Sequence, residues 1–477
     1  MKYDVVIVGG GSAGCTLAAR LSEDPNRSVL LLEAGPDYPD FEYLPDEIKY
    51  GYNNGASEID SPFNWSYTAR GSAQQSQPMN IARGKVIGGS GSVNGQVFLR
   101  GLPEDYDSWA EQGNTEWSYV NVLPFFRKQE TDMDVRDDFH GTEGPIPVRR
   151  VPRQEWLPVY EAFHQSTLDE GFPYDPDMNN PETSGTGAVP MNNPGNIRMS
   201  AALSYLNPAR HRLNLTVRGG VQARRVVFEG TRAVGVEVES GRRAEHLREM
   251  GIPVVLDSPG VGKNLRDHPM ALVDLEPREG VALSEDVPRI QTGLRYTAEG
   301  SHLRSDMQIT LTSYAGVGGG DPIAGASRSR NGKTLHFTVI LELAESSGEL
   351  TLASTDPAVG PNIDYRYLED EFDVQRMREA IRLCARLAEH EKFQPLVSGL
   401  AAPGPADLES DEALDAWIHA NIGTTFHSCG SARMGPDGDA MAVVDQHCRV
   451  RGVEGLRVVD LSVAPNVVRA TRTRRRS

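Results

Sequence analysis

Three glycines and one glutamate near the start of the chain have the types and spacing of a dinucleotide site. Residues 9–14 read GGGSAG, so Gly9, Gly11 and Gly14 match the pattern GxGxxG. In this pattern the first glycine permits a tight turn, the second lets the backbone approach a pyrophosphate, and the third lets a helix pack closely on a strand. Glu33, nineteen residues beyond Gly14, is placed to accept hydrogen bonds from an adenosine ribose.

The flanking sequence supplies the elements that such a site needs. The apolar run at 4–8 predicts a buried parallel strand, the pattern at 17–21 predicts a helix, and the run at 28–33 predicts a second strand. The free N–H groups and the positive dipole end of the helix favour phosphate binding. A glycine-rich turn of purely structural use is the alternative, and the pattern by itself does not separate NAD from FAD.

Length and composition indicate a large globular protein. The 477 residues suggest two to four domains, and 39% apolar with 24% charged residues excludes disorder. No stretch approaches the ~18 consecutive apolar residues that span a bilayer, and no basic leader precedes the first strand, so we expect a cytoplasmic protein without a transmembrane segment. The four distant cysteines predict neither a disulfide framework nor a metal site. The net charge of −18 argues against nucleic acid as a partner.

Several further segments resemble, in order, the glucose–methanol–choline (GMC) family of FAD-dependent oxidoreductases. The first is ARGKVIGGSGSVNGQVFLRG, and FHGTEGPIPV, PGVGKNLRDH, FHSCGSARMG and GLRVVDLSVAP follow. Together with the glycine turn they cover nearly the whole chain. Their positions are 82–101, 139–148, 259–268, 426–435 and 455–465.

The resemblance implies FAD as the cofactor. Some family members carry a flavin-linking histidine where this chain has Val93, so we expect FAD to be held non-covalently. Val221 matches a residue that lies against the adenine through its backbone; an ordinary strand residue is the alternative reading. The residues expected to bind FAD are Gly9, Gly11, Ser12, Ala13, Gly14, Glu33, Ala34, Arg83, Gly84, Val86, Gly88, Gly89, Ser90, Val93, Asn94, Gly95, Val97, Val221 and Asp460.

The resemblance also implies the catalytic side. Hydride transfer from an alcohol to flavin needs a base for the hydroxyl proton, and His427 matches the active-site histidine of the family. The second catalytic position, His or Asn in the family, is occupied by Thr471, whose shorter side chain would hold an alkoxide poorly. His268, His140 and His447 are expected to be structural, and Cys429 to be a small buried side chain.

The expected fold class is α/β, α+β overall, with a Rossmann-like FAD-binding domain interleaved with a substrate domain. The substrate domain is expected to be built on an antiparallel sheet flanked by helices. The FAD-binding domain is predicted at 1–35, 80–150, 200–270 and 415–477, and the substrate-binding domain with lid-like segments at 36–79, 151–199 and 271–414.

The chain departs from the family in two places. Residues 240–243, SGRR, run directly into AEHLREMGIPV, so a strand and a second glycine-rich signature of a few tens of residues are missing. The last nine residues, RATRTRRRS, contain five arginines where related chains continue like RANTNATTI. A one-base deletion at the Ala470 codon explains this tail; a basic arm selected for binding is the alternative. The missing segment motivates the hypothesis that this chain binds FAD weakly or not at all.

The predicted function is oxidation of the CH–OH group of a small-molecule alcohol. Hydride passes to flavin N5, His427 acts as the base, and the electrons pass to oxygen or to a separate acceptor. The first alternative is a catalytically defective homologue or damaged gene product, and the second is a hydroxynitrile-lyase-like member of the family. An NAD-dependent dehydrogenase ranks last, because the flavin loop has no counterpart there. Substrate and oligomeric state stay open.

Overall fold

The computed structural model describes residues 2–53, 55–240, 255–315, 333–354 and 359–470. The α-helices are α1 (Ser12–Leu21), α2 (Asp46–Lys49), α3 (Pro103–Glu111), α4 (Tyr119–Gln129), α5 (Pro158–Asp169), α6 (Asn207–Ala209), α7 (Glu371–Glu389), α8 (Pro405–Leu408) and α9 (Asp411–Asn421). The strands are β1 (Val5–Val8), β2 (Val29–Leu32), β3 (Tyr67–Ala69), β4 (Met79–Ile81), β5 (Glu130–Asp132), β6 (Ile146–Val148), β7 (Gly185–Ala188), β8 (Leu215–Arg218), β9 (Val221–Glu229), β10 (Arg232–Ser240), β11 (Pro269–Pro277), β12 (Thr292–Tyr296), β13 (Met307–Ala315), β14 (Lys333–Leu341), β15 (Glu349–Thr351), β16 (Asn362–Asp364), β17 (Val397–Ala402) and β18 (Gly423–Thr424).

The N-terminal elements form the predicted parallel sheet, in the order β1–β2–β8. Helix α1 buries its small residues Cys15, Ala18 and Ala19 against this sheet. A Cβ atom on Gly14 would lie 1.9 Å from the carbonyl oxygen of Gly9, so only glycine lets the helix approach the strand this closely. The predictions of strand, turn, helix and strand are therefore confirmed.

Strand β1 lies at an edge of this sheet. Among the described residues its only ladder is with β2. Val6 and Val8, on the face of β1 opposite α1, are 37% and 53% exposed, which is unusual for a parallel strand. The predicted junction at 241–254 lies outside the described residues.

The second layer is the antiparallel sheet expected from the family resemblance. Its order is β17–β11–β14–β13–β12–β7, and β18 pairs with the start of β11. Helix α7 covers it with an apolar face of residues that are fully buried, among them Met377, Ile381, Cys384 and Leu387. The mixed fold with an antiparallel sheet flanked by helices is confirmed, whereas the domain boundaries stay a prediction. No helix in the described ranges is long and apolar enough to cross a membrane.

A buried ion cluster joins β5 to the segments around Arg100, His140, Arg150 and Asp177. Three carboxylates and three cations balance one another within it. His140 Nε2 lies 2.9 Å from Asp177 Oδ2, and the guanidinium of Arg150 contacts both Asp132 and Asp177. The carboxylate-histidine groupings here could hold a metal by distance alone, but each of their buried carboxylates already pairs with an arginine or with His140. The members are Glu130, Asp132, Asp177, Arg100, His140 and Arg150.

The cluster predicts a loss of stability at alkaline pH. Burial lowers the pKa of His140, but hydrogen bonds to Asp132, Asp177 and Glu130 outweigh it and raise the pKa to about 11. Between the unfolded value of about 6.5 and this value the folded chain holds one extra proton, so stability falls as pH rises. Urea unfolding from pH 6 to 10 should show this slope in the wild type. The slope should disappear in His140→Gln and persist in His211→Gln, an exposed control; equal slopes in all three would contradict the assignment.

Candidate active site

The pairing of β11 with β18 brings the predicted catalytic histidine to one end of the antiparallel sheet. Pro269 of β11 is opposite Thr424 of β18, which places the residues just before β11 beside those just after β18. Cys429 and Arg266 continue the pairing with two backbone hydrogen bonds. His427 follows Phe426, whose φ of +64° turns the chain at this point. Its side chain is half-buried.

Asp267 fixes this turn. Each of its carboxylate oxygens accepts two short hydrogen bonds, which uses the four acceptor positions of the group. Oδ1 accepts from the backbone N–H groups of His268 and His427, both at 2.8 Å. Oδ2 accepts from the Thr424 hydroxyl at 2.6 Å and from the Tyr367 hydroxyl at 3.0 Å. Asp267 is buried, so its loss would leave several donors unpaired.

The ring of His427 is held through its Nδ1 atom. This atom lies 2.9 Å from His268 Nδ1 and 2.9 Å from the Thr425 hydroxyl. The two imidazole rings are nearly perpendicular, at 83°. Nδ1 is therefore engaged on the protein side of the ring.

A polar chain links His427 to the predicted flavin loop. The Ser428 hydroxyl accepts a hydrogen bond from Arg83 Nη2 at 2.7 Å and lies 2.7 Å from the Tyr365 hydroxyl. Burial and the carboxylate of Asp267 both raise the pKa of Tyr365, so it stays protonated and can donate. Arg83 thus connects the start of the flavin loop to the residue that follows the candidate base.

The glycine loop at 84–95 lies directly on the dinucleotide turn. Gly88, at a φ of +95°, donates its N–H to the Gly10 carbonyl at 2.7 Å. A Cβ atom on Gly89 would lie 2.6 Å from the Gly11 Cα atom, so a side chain there would force the two loops apart. Helix α1 begins after Gly11 without any side-chain cap, which leaves its first N–H groups for a phosphate. This cradle of bare backbone fits the pyrophosphate and flavin portions of FAD.

The predicted adenosine end is formed by Glu33 and Val221. The Glu33 carboxylate accepts the N–H groups of Gly10 at 2.7 Å and Gly35 at 2.8 Å, and the Val221 N–H donates to the Glu33 carbonyl at 2.8 Å. Burial raises the pKa of the Glu33 carboxyl, and these N–H donors oppose that shift. The structure therefore brings together three parts of the sequence-predicted cofactor site: the turn, the acidic residue and Val221.

The remaining predicted residues take varied positions. The Ser90 hydroxyl accepts the Gly84 N–H at 3.2 Å, and Asn94 is half-buried beside it in the loop. Val93 is buried and has no atom that could bond covalently to a flavin. Asp460 is exposed and caps the turn at 461–463, and Thr471 lies outside the described residues. The other predicted contacts lie along the same segments: Ser12 and Ala13 are buried at the start of α1, Ala34 follows Glu33, Val86 and Val97 are buried on either side of the loop, and Gly95 is exposed.

Arg198 is a functional candidate that the motifs did not identify. Its side chain is fully buried and donates to backbone carbonyl groups that shape the flavin loop and the segment below it. Burial lowers the pKa of Arg198 to about 9. The five acceptors are the carbonyl groups of Glu47, Ile48, Asn53, Ser92 and Asn94.

Comparisons with known proteins identify the family of the chain. Profiles of the GMC oxidoreductase family match residues 3–258 and 344–473. The chain belongs to the GMC oxidoreductase family. FAD is therefore the cofactor of this GMC oxidoreductase, and the chain is an enzyme by its family. An uncharacterized GMC-type oxidoreductase from the thcA 5′ region of Rhodococcus erythropolis is 36% identical over 97% of this chain and 94% of its own length.

Two further relatives carry named activities. An oxygen-dependent choline dehydrogenase of Brucella anthropi is 33% identical over 98% of this chain and 92% of its own length. The crystal structure of pyridoxine 4-oxidase from Mesorbium loti has a TM-score of 0.86 at 26% identity, covering 98% of this chain and 96% of that one. The GMC fold expected from the sequence is thus confirmed.

Replacing Arg198 should lower both the free energy of unfolding and the affinity for FAD, and neither measurement needs turnover. Arg198→Lys keeps the positive charge but cannot reach five carbonyl groups, so we expect a loss of about 3 kcal/mol in the free energy of unfolding. FAD affinity should fall at least tenfold, because the loop carbonyls of Ser92 and Asn94 are no longer fixed. Denaturant unfolding and quenching of flavin fluorescence measure the two quantities. Arg153→Lys, at an exposed ion pair, is the control, and equal behaviour of the two variants would contradict the assignment.

Proposed function

We propose that this GMC oxidoreductase oxidises the CH–OH group of a small-molecule alcohol. The observation that carries the proposal is the half-exposed His427, pinned by Asp267 and joined through Ser428 and Arg83 to the flavin loop. FAD, when bound, supplies the hydride acceptor. His427 accepts the hydroxyl proton at Nε2, and its ring is held in place through Nδ1. The hydroxyl oxygen of the substrate loses the proton and its carbon loses the hydride, so the CH–OH group becomes a carbonyl group.

The relatives support an alcohol as the substrate class. The Brucella protein is named a choline dehydrogenase and the Mesorbium protein a pyridoxine 4-oxidase, and choline and pyridoxine both carry primary alcohols. We assign substrate contacts to the segments at 36–79, 151–199 and 271–414, and cofactor contacts to the other segments of the chain. The electrons then pass to oxygen or to a separate acceptor molecule.

The proposal predicts that an alcohol will bleach the flavin absorbance under anaerobic conditions. In His427→Asn the ring nitrogen that takes the proton is lost, so the rate constant of flavin reduction should fall about 10²- to 10⁴-fold. Stopped-flow absorbance with a panel of primary alcohols measures this rate. His447→Asn, at a largely exposed histidine, should reduce at the wild-type rate. A flavin-loaded wild type that no alcohol bleaches would overturn the proposal.

A second candidate is a catalytically defective member of the family. The exposed face of β1, at Val6 and Val8, favours it, because this strand leads into the dinucleotide turn. The basic tail adds a second defect, since Thr471 stands at the position of the family's second catalytic residue. Under this reading the purified chain holds FAD at well below one equivalent.

Thr471→Asn distinguishes the two candidates. An amide donates a hydrogen bond from a longer side chain than a hydroxyl does, so it should hold the substrate oxygen better and raise the flavin-reduction rate, by about tenfold. Thr471→Ser is the matched control and should leave the rate unchanged. Flavin content is measured on all three proteins from the ratio of visible to ultraviolet absorbance. If FAD is stoichiometric and Asn gives no gain, Thr471 is not a catalytic position; if FAD is largely absent in all three, the second candidate is favoured.

A further inference from the structure

His268 meets His427 because of the register of three strands. Met270 of β11 is opposite Ile340 of β14, so His268 is in register with Glu342 just beyond β14. On the other side, the pairing of Pro269 with Thr424 sets His268 beside Thr425. His268 is fully buried. Its ring lies between the candidate base His427 and the buried carboxylate of Glu342.

The hydrogen bonds of His268 determine which of its nitrogens carries a proton. Its Nε2 lies 2.9 Å from the Val468 carbonyl oxygen and 3.3 Å from Glu342 Oε2. A carbonyl oxygen only accepts, so Nε2 must carry the hydrogen. In a neutral imidazole the other nitrogen is then an acceptor. As long as His268 is neutral, its Nδ1, 2.9 Å from His427 Nδ1, therefore accepts a hydrogen from His427.

We propose that His268, backed by Glu342, is a positioning residue that fixes His427 as the Nδ1–H tautomer and so leaves His427 Nε2 without a proton, as a base requires. This inference rests on the proposed role of His427. The Thr425 hydroxyl has one hydrogen: directed at the His268 carbonyl, 3.1 Å away, it leaves the oxygen to accept from His427 Nδ1–H, and directed at His427 it leaves that carbonyl. Thr425 alone therefore does not decide the tautomer. When His427 takes a proton, its Nδ1–H remains directed at His268. The His268 ring then lies between the new positive charge and the Glu342 carboxylate.

The tautomer of His427 can be read without flavin or turnover. The full chain with ¹⁵N-labelled histidine gives separate resonances for protonated and bare ring nitrogens, and His427→Asn identifies the signals of residue 427. The wild type should show a protonated Nδ1 and a bare Nε2. In His268→Phe the acceptor is gone and the ring shape is kept, so the proton should move to Nε2. In His268→Asn an amide oxygen can accept near the former Nδ1 position, which should restore the wild-type pattern.

Kinetics provide the second readout. In flavin-loaded protein, His268→Phe should slow flavin reduction about 10²-fold or more, and His268→Asn should recover most of the rate. Glu342→Gln removes a negative charge behind the histidine pair, so the pH at which the base becomes active should move down. The other polar groups around His268 and His427 are the same in the wild type and in every variant. They are Asp267, Tyr365, Tyr367 and, through Ser428, Arg83.

His164→Phe is the control for loss of a buried histidine. His164 is buried on α5 and its Nδ1 contacts the Thr186 hydroxyl of β7 at 3.2 Å. Strand β7 lies at one edge of the antiparallel sheet, and three strands separate it from β11, beside which His427 lies. This variant should leave the His427 signals unchanged. A wild-type His427 protonated at Nε2, or a tautomer and pH profile unaffected by His268→Phe, would overturn the proposal. Failure of alcohols to bleach the flavin would instead overturn the proposed function while leaving the tautomer result intact.

Discussion

The buried carboxylate of Asp267 is the constraint on which the candidate active site depends. It accepts two hydrogen bonds at each oxygen, and two of the four come from the backbone of the two histidines whose rings meet. Backbone donors fix the position of a loop more firmly than side-chain donors do, because no rotamer change can release them. The turn at Phe426, which has a positive φ, is held by the same interaction. The orientation of His427 therefore follows from a buried acceptor and not from contacts of its own ring alone.

The cofactor cradle and the catalytic side are connected by few contacts. On the cofactor side, Gly88 and Gly89 rest on Gly10 and Gly11 with no side chain between them. On the catalytic side, Arg83 reaches Ser428 from the start of the same loop. A displacement of this loop would move the backbone of the predicted flavin site. Through Arg83 it would also move Ser428, which follows the candidate base His427. Arg198 then acts on both, since it holds the carbonyl groups of the loop from below.

Local patterns predicted the parts of this site that are local in sequence. The glycine turn, its strands and Glu33 form one unit of about thirty residues, so spacing alone was enough to place them. The amphipathic period at 373–387 predicts a helix for the same reason, and α7 spans Glu371–Glu389. The contact of His268 with His427 has no local pattern, because it spans 159 positions and arises only from the pairing of β11 with β18. Arg198 has no motif either, since its acceptors are backbone atoms, which any residue type provides.

The exposed face of β1 affects stability and cofactor geometry in different ways. The two valines on it, Val6 and Val8, forgo about 1 kcal/mol of burial each. The shape of the dinucleotide turn, however, is set from the other directions. Its N–H at Gly9 donates to Leu32 of β2, Gly10 is held by Glu33 and Gly88, and α1 packs on the face away from the exposed valines. The missing segment should therefore lower the stability of the domain and remove the contacts that its own loop makes in the family. The glycine turn at 9–14, which is predicted to bind the phosphates, should keep its shape. The contacts described for it come from β2, Glu33, Gly88 and α1, all of which this chain retains.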